Sequence, residues 1–235
     1  MGIIIGSGFA ETISEDIISD RKNYGNNFET IKKTKSKKFF EELQKHKINF
    51  PRISKQPKNN GKWLIKEYQS FGGIKVKLFK VSEQINEKTY LQKFIDGDLI
   101  SVQFFVENKN TEILAICDQI ITNSNKGLFL IKSLVTKKIK TNLSKKIYTL
   151  TKKISKIFSL KGINNLDLIL QEKNIFLLEV NPRPGLSTNI LQTIHKNIFK
   201  SKYRKKKITY NGFHSSTVIY ARKEIKINQK KKNIL

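Results

Sequence analysis

The stretch that decides the fold reads Asp167-Leu-Ile-Leu-Gln-Glu-Lys-Asn-Ile-Phe-Leu-Leu-Glu179-Val-Asn181-Pro-Arg183-Pro-Gly185. Two apolar runs, 163–170 and 175–180, flank a short polar turn, which predicts a β-hairpin. Because side chains alternate between the two faces of a strand, Glu179 and Asn181 are expected on one face. Pairing back through the turn places Asp167 opposite residue 178 or 179 of the neighbouring strand.

The face that carries these polar groups is otherwise apolar. Strict alternation puts Ile169, Ile175 and Leu177 on it, and Leu168, Leu170, Phe176, Leu178 and Val180 on the other face. Two carboxylates on such a face repel each other and are costly to bury unpaired. A divalent cation removes that cost, and the side-chain oxygens of Asp167, Glu179 and Asn181 suit Mg²⁺. The alternative is a surface hairpin with solvated acids, which apolar residues on both faces argue against.

Periodicity predicts the elements around this hairpin. Amphipathic helices are expected over 34–47 and 143–158, and another helix is expected after Gly185. The helix over 143–158 is expected to be capped by Thr141 or Asn142 and to end at Gly162. Strands are expected at 63–65, 74–80, 90–95, 100–106, 112–121 and 216–221, and a turn-rich connection around Pro51 and Pro57.

Charge is the most unusual property of the composition. The 235 residues include 46 Lys and Arg against 19 Asp and Glu, a formal net charge of +27. Lysine-rich surfaces attract phosphate backbones. Sites that read nucleic acids usually recruit Arg for bidentate contacts, however, and Arg is scarce and scattered here. The composition therefore argues against nucleic acid as the main partner.

The chain also lacks the sequence marks of secretion. Cys117 is the only cysteine, which excludes an internal disulfide and favours a reducing compartment. The apolar run at 3–5 is too short for a signal peptide, and no run approaches the roughly 18–20 apolar residues of a membrane span. We therefore expect a cytoplasmic protein without a membrane partner, in which Cys117 belongs to the core.

The hairpin and the residues after it resemble the metal-binding end of the ATP-grasp superfamily. The resemblance rests on Leu178-Glu179-Val180-Asn181-Pro182-Arg183-Pro184, with Asp167 twelve residues before Glu179. It implies an α+β class and an ATP-grasp fold, in which two α+β lobes hold a nucleotide between antiparallel sheets. It also implies an ATP-dependent ligase that activates a small-molecule carboxylate as an acyl-phosphate and joins it to an amine or thiol. ATP and Mg²⁺ (or Mn²⁺) would be the cofactors, with Asp167, Glu179 and Asn181 as metal ligands.

Upstream residues follow the motif order of the family. Lys66 precedes Ser70, Gly72 and Gly73, and this order is similar to the strand lysine and flexible glycine loop that cover the nucleotide phosphates. Lys35, before a helix that ends near Pro51, resembles the second phosphate-contacting lysine, with Lys37 as a close competitor. The alternative for Lys35 is a solvated helix start.

Residues 90–97 resemble the hinge strand that joins the two lobes. The resemblance implies that adenine bonds to Gln92, and that Lys93, Phe94 and Ile95 offer it backbone groups and an apolar wall. An acidic residue commonly holds the ribose nearby, and the candidates are Asp96 and Asp98, of which we select Asp98. The alternative for the whole segment is an ordinary edge strand and turn.

Two further residues are candidates for catalysis. Arg183 lies between two prolines that fix the backbone directly after the metal ligands. Its guanidinium suits a bidentate grip on a substrate carboxylate or acyl-phosphate. Asn165, two residues before Asp167 and on the same strand face, would assist at the phosphate. His195 is a further candidate for a substrate contact, with simple packing as its alternative.

The resemblance divides the chain into four parts. We expect a remnant of a Rossmann-like domain at 1–33, an N-terminal lobe at 34–95, a C-terminal lobe with the metal site at 96–200, and a basic segment with one strand at 201–235. The short ends indicate a shortened gene, a fragment, or a substrate pocket completed by a second copy or a partner chain.

A narrower likeness bears on the substrate. Residues 3–9, 25–26 and 218–221 resemble little-characterised ATP-grasp proteins linked with one-carbon cofactor metabolism. Two alternatives to a ligase also stay open: a catalytically degenerate nucleotide-binding protein, and a basic nucleic-acid-binding protein.

Overall fold

The computed structural model describes residues 2–3, 22–57, 61–70, 73, 76–82, 84–124, 127–194 and 212–219. The helices within them are α1 (Phe28–Thr34), α2 (Lys37–Lys45), α3 (Thr141–Ile157) and α4 (Ser187–Ile194). The strands are β1 (Gly2–Ile3), β2 (Lys22–Asn23), β3 (Ile53–Ser54), β4 (Trp63–Glu67), β5 (Lys77–Leu78), β6 (Thr89–Lys93), β7 (Asp98–Glu107), β8 (Asn110–Ser124), β9 (Gly127–Thr136), β10 (Gly162–Gln171), β11 (Asn174–Asn181) and β12 (Ser215–Thr217).

Two antiparallel sheets organise these elements. The smaller has the strand order β3-β6-β4-β5, and the larger has the order β11-β10-β7-β8-β9-β12. The strands β1 and β2 form a separate parallel pair. The segment 94–97 carries the chain from the smaller sheet to the larger. The α+β class expected from the sequence is confirmed.

The larger hydrophobic core covers one face of the six-stranded sheet. Ile147 and Ile154 of α3 and Leu43 of α2 are fully buried there, against Val102 of β7 and Leu168 of β10. A smaller core packs α4 against β8 and β9 through Ile190, Leu191, Ala115, Cys117 and Leu134. Among the residues that the structure describes, no helix has the length and hydropathy needed to cross a membrane.

Most elements lie where periodicity predicted them, but α1 and the strands β1, β2, β3 and β9 were not predicted. The helix predicted from residue 34 begins at Lys37, and a separate helix, α1, precedes it; Asn27 caps α1 by accepting the Thr30 amide at 2.9 Å. The connection around Pro51 contains the short strand β3. The strand β9 was also missed, although Gly127 and the apolar run 128–131 after a polar turn are a strand signal.

The register of the β10–β11 hairpin was only partly predicted. Asp167 pairs with Glu179, as expected. The register then shifts by one residue, so that Leu168 pairs with Leu177 and Leu178 becomes the extra residue of a bulge. The prediction that Ile175 and Leu177 share a face with Asp167 was therefore wrong. Leu177 belongs to the larger core and Ile175 packs against it, whereas Leu178 lines the cavity described below.

The expected ends of α3 were also wrong. Its N-cap is Lys140, which makes no side-chain capping bond, and the helix begins at Thr141 itself. After α3 ends at Ile157, Ser159 takes a positive φ of 50°, while Gly162 is the first residue of β10. Gly162 has the left-handed backbone conformation expected of a helix cap, but it belongs to β10 and not to the end of α3.

Gly162 is required where β10 begins. Its φ is +64°, and a Cβ added there would lie 2.6 Å from the carbonyl oxygen of Tyr24. Gly162→Ala is expected to lower the free energy of unfolding by roughly 2–3 kcal/mol, because strain and a backbone clash act together. Gly212 has a φ of +84° with nothing within 4 Å of an added Cβ, so Gly212→Ala isolates the strain and should cost roughly 1 kcal/mol. Equal losses of unfolding free energy in the Gly162→Ala and Gly212→Ala variants, measured by urea denaturation, would contradict a clash at Gly162.

Candidate functional site

A cavity of about 590 Å³ lies between the two sheets. The smaller sheet lines it with Lys66 and Gln92, and the larger sheet lines it with Asp167 and Glu179. Lys35, between α1 and α2, closes one side, and the hinge segment 93–97 closes another. Two sheets that are far apart in sequence thus place their polar side chains in one space.

The two carboxylates reach the cavity because of strand pairing. Ser101 pairs with Cys117 on one side and Asp167 on the other, and Asp167 pairs with Glu179. Directly paired residues in antiparallel strands point to the same face, so this row shares one side of the sheet. Ser101, Asp167 and Glu179 line the cavity, while Cys117 lies in the smaller core, as the sequence predicted. Burial raises the pKa of Cys117 to about 12, which makes its thiol unreactive.

Three side-chain amides surround the carboxylate of Asp167. Gln119 Nε2 donates to Oδ1 at 2.6 Å, and Asn165 Nδ2 donates to the same oxygen at 3.0 Å. Asn181 Nδ2 donates to Oδ2 at 2.9 Å. The sequence predicted Asn165 and Asn181 at this place but missed Gln119, which lies on β8, 48 residues before Asp167 and outside any motif.

Lys35 lies beside Glu179, the second carboxylate of the pair, and connects it to Asn181. Its ammonium donates to Glu179 Oε1 and, at 2.9 Å, to Asn181 Oδ1. The Lys35 side chain is 5% exposed, which argues against a solvated helix start. By contrast, the competitor Lys37 has a side chain that is 77% exposed and pairs with Glu41. The structure therefore brings Lys35 into the site and leaves Lys37 outside it.

The charges of the site act on each other. Burial raises the pKa of Asp167 to about 6, and the negative charge of Glu179 adds to the effect. Burial also raises the pKa of Glu179, but the positive charges of Lys35, Lys66 and Arg183 outweigh it, so that its pKa lies below the ordinary value. The ionised form of Asp167 is thus destabilised, and additional positive charge beside it would be favourable.

Lys66 and Gln92 face the carboxylates from the smaller sheet. Lys66 and Tyr90 pair across β4 and β6, and Lys66 Nζ donates to Gln92 Oε1 at 3.0 Å. Burial lowers the pKa of Lys66, and Glu179 and Asp167 oppose that shift. Within the described residues, Gln92 Nε2 is buried and has no hydrogen-bond partner. A buried, unpaired N–H in a cavity wall is free to donate to a bound molecule.

The glycine loop is only partly described. Gly72 lies outside the described residues, and Ser70 and Gly73 line the cavity. Gly73 has a φ of +72°, and a Cβ added to it would lie 2.3 Å from the carbonyl oxygen of Phe129 on β9. The loop therefore approaches the larger sheet closely at a point where only glycine fits.

The hinge agrees with the sequence except for the ribose candidate. Lys93, Phe94 and Ile95 line the cavity, followed by Asp96. The selected acid, Asp98, is absent from the cavity lining; its side chain is 74% exposed and lies 3.6 Å from Lys137 Nζ on the outer surface. Of the two ribose candidates, Asp96 therefore lines the cavity and the selected Asp98 does not.

Arg183 and Asn165 lie at the end of the cavity near α4. Arg183 is 6% exposed and lines the cavity, and the carbonyl of the preceding Pro182 accepts Asn26 Nδ2 at 2.9 Å, which ties down the turn. Asn165 Oδ1 accepts Ser101 Oγ at 2.9 Å, while its amide donates to Asp167. Asn165 thus holds the carboxylate instead of pointing freely at a phosphate. His195 lies outside the described residues.

The residues that could hold a metal ion are Asp167, Glu179 and Asn181. Within the described ranges, no group of three or more His, Cys, Asp or Glu is placed to hold one. The candidate set instead combines two carboxylates with one amide oxygen, which are ligand types of Mg²⁺ and Mn²⁺. The Lys35 ammonium between Glu179 and Asn181 shows that this place attracts a cation. The donor set therefore fits a divalent ion.

The comparisons with known proteins agree with this geometry. An ATP-grasp domain family matches residues 34–187, which span the cavity from Lys35 to Gly185. A comparison with curated protein sequences finds no match.

Solved structures share the fold at low sequence identity. A protein assigned to the ATP-grasp superfamily from Archaeoglobus fulgidus has a TM-score of 0.69 and 16% identity, over 94% of this chain and 69% of its own. L-amino acid ligase from Bacillus licheniformis has a TM-score of 0.66 and 17% identity, over 85% and 57%. Phosphoribosylamine–glycine ligase from Thermotoga maritima has a TM-score of 0.69 and 20% identity, over 90% and 66%. The chain thus spans less than two thirds of the length of either ligase.

Proposed function

The chain belongs to the ATP-grasp family, and we propose that it is a Mg²⁺-dependent ligase that activates a carboxylate for joining to an amine. In this proposal ATP binds in the cavity between the two sheets. A carboxylate oxygen of the substrate attacks the γ-phosphorus, ADP leaves, and an amine then displaces phosphate from the acyl-phosphate. Residues 34–95 and 96–200 form the two lobes that hold the nucleotide.

One observation carries the proposal. The cavity sets the cation-binding oxygens of Asp167 and Glu179 opposite the ammonium of Lys66 and the unpaired amide of Gln92. A nucleoside triphosphate presents matching groups, because its triphosphate is anionic and binds divalent ions, while its base offers hydrogen-bond acceptors. Neither sheet alone provides both sets of groups.

Asp167, Glu179 and Asn181 would hold the divalent ion. When bound, the ion supplies neutralisation of the phosphate charge that builds up during transfer. Lys35 and Lys66 add positive charge to the same space. These residues orient the phosphates, and phosphoryl transfer depends chiefly on such positioning and charge stabilisation.

The hinge would hold the base and ribose. Gln92 Nε2 donates to the base, Phe94 and Ile95 form an apolar wall beside it, and Asp96 takes the ribose hydroxyls. At the other end of the cavity, Arg183 orients the substrate carboxylate, since its buried guanidinium is suited to bidentate contacts.

Release of ADP tests the proposed reaction. The purified chain would be incubated with ATP, Mg²⁺ and a panel of amino-acid and pterin carboxylates, each with and without amines. ADP release that requires both a carboxylate and an amine would support a ligase. Saturable ATP binding without release for any pair would contradict the ligase and leave a nucleotide-binding protein.

Lys66 offers a direct test of the phosphate contact. Lys66→Met removes the ammonium and keeps the apolar stem, and we expect ATP binding to weaken by about 10- to 100-fold, because a hydrogen bond to a charged group contributes about 1.5–3 kcal/mol. Lys62→Met, at an exposed lysine just before the same strand, removes the same charge outside the cavity and should leave affinity unchanged. Equal losses in both variants, measured by calorimetry, would show that only net charge matters.

A further inference from the structure

Gln119 makes a contact with Asp167 that no sequence motif predicted. It lies on β8, pairs with Leu134 of β9, and its side chain crosses the face of β7 to reach β10. Its Nε2 atom lies 2.6 Å from Asp167 Oδ1, the shortest of the three amide contacts to that carboxylate. Gln119 also lines the cavity. This side chain therefore connects the middle of the sheet to the candidate metal site.

The three amides restrict Asp167 in different ways. Asn165 lies two residues away on the same strand, and Asn181 lies on the paired strand β11. Both belong to the hairpin, whose strand β10 pairs with β7. Gln119 is anchored on a separate strand, flanked on both sides by β7 and β9. Of these three amide donors, Gln119 is the one that comes from a strand outside the hairpin.

The number of hydrogen bonds that each oxygen of Asp167 can accept determines which oxygen is free for a metal ion. Each carboxylate oxygen has two lone-pair directions. Oδ1 accepts both Gln119 and Asn165, and Oδ2 accepts Asn181. Gln119 and Asn165 thus occupy both lone-pair directions of Oδ1. The lone pair that is still free to accept a bond belongs to Oδ2, on the side of Asn181. Groups that orient a metal ligand in this way commonly change metal affinity when they are replaced.

We propose that Gln119 is a positioning residue that orients Asp167 for binding of the divalent ion. The proposal rests on the proposed function, because it requires that Asp167 bind an ion together with ATP. It assigns Gln119 no contact with substrate or ion. Loss of its N–H donor releases one side of Oδ1 and lets the carboxylate rotate, so metal affinity falls while nucleotide affinity without metal stays the same.

Gln119→Met tests this assignment. Methionine has a similar length and shape but no N–H, and Mn²⁺ serves as the probe, with its binding followed by electron paramagnetic resonance in the presence of a non-hydrolysable ATP analogue. We expect affinity for Mn²⁺ to fall by about 10- to 100-fold. Affinity for the analogue in EDTA, and the melting temperature, should stay close to those of the unmodified chain. Gln119→Thr, which suits a strand but is too short to reach Asp167, should give the same loss.

Gln103→Met is the matched control. Gln103 is a fully buried glutamine on β7 of the same sheet, and its Nε2 donates to Thr188 Oγ1 at 2.5 Å instead of to Asp167. It tests whether loss of any buried amide in this sheet lowers metal affinity. Unchanged Mn²⁺ affinity in Gln103→Met, beside a loss in Gln119→Met, supports the proposal.

Three results would overturn it. Undiminished Mn²⁺ affinity in both Gln119 variants would remove the positioning role and leave the proposed ligase intact. Equal losses in the Gln119 and Gln103 variants would mean general loosening of the sheet. Absence of Mn²⁺ binding by the unmodified chain with the ATP analogue would remove the proposed function, and this inference with it.

Discussion

In the Asp167→Asn variant, we expect Mg²⁺ to lose its effect on ATP binding, with the Kd of Mg-ATP rising by about 100-fold or more. The substitution removes the charge that a divalent ion requires. Asparagine also replaces one acceptor oxygen by an NH₂ group, so a donor from Gln119, Asn165 or Asn181 faces another N–H. Both effects act on the metal site, and calorimetric titration with and without Mg²⁺ measures them.

Asp118→Asn is the control for this prediction. Asp118 lies on β8 of the same sheet, but its side chain is 40% exposed and pairs with Lys137 at 2.6 Å outside the cavity. We expect this variant to bind Mg-ATP like the unmodified chain. If Asp167→Asn keeps the Mg²⁺ effect, the assignment of Asp167 as a metal ligand is wrong.

The largest effect on stability is expected for Ile154→Ala. Ile154 is fully buried where α3 packs on the six-stranded sheet, so truncation removes apolar contacts and leaves a cavity in the larger core. The expected loss is about 2–5 kcal/mol in the free energy of unfolding. Since small proteins are stable by only about 5–15 kcal/mol, this loss is severe. Urea denaturation measures it.

Ile120→Ala is the matched control for the core. Ile120 is 45% exposed on β8, so the same truncation removes fewer contacts and opens no enclosed space. We expect a loss within about 0.5 kcal/mol, as for ordinary surface substitutions. Similar losses at Ile154 and Ile120 would contradict the placement of the larger core against α3.

The sequence predicted the parts of the site that depend on local spacing. Counting residues through one tight turn placed Asp167 opposite residue 178 or 179, and the structure shows that Glu179 is the partner. The bulge at Leu178 could not be predicted in this way, because periodic alternation contains no information about an extra residue. The faces of Ile175 and Leu177 were therefore assigned wrongly although the partner of Asp167 was right.

Contacts between distant strands were harder to foresee. Gln119 reaches Asp167 only because β8 and β10 both flank β7, an order that appears once the sheet is assembled. Asp98 and Asp96 differ by two residues in sequence, yet one pairs with Lys137 on the surface and the other lines the cavity. Local sequence patterns predict which residue types form the site. The sheet topology then determines which of several residues of that type face the cavity.

Charge had the least predictive value for this site. Among the Lys and Arg that the structure describes, Lys35, Lys66, Lys93 and Arg183 line the cavity. Five lysines of α3 are exposed: Lys145, Lys146, Lys152, Lys153 and Lys156. A net charge of +27 attracts any polyanion weakly, so binding experiments must separate binding at the cavity from attraction to the surface.

Titration of the unmodified chain with ATP, with and without Mg²⁺, tests the central claim most directly. At about 0.2 M salt, attraction to the basic surface is largely screened. The account predicts one ATP bound per chain, with tighter binding when Mg²⁺ is present, because Asp167 and Glu179 face the phosphates across the cavity. Binding that is absent, or that Mg²⁺ weakens as it would weaken mere attraction to lysines, would contradict it.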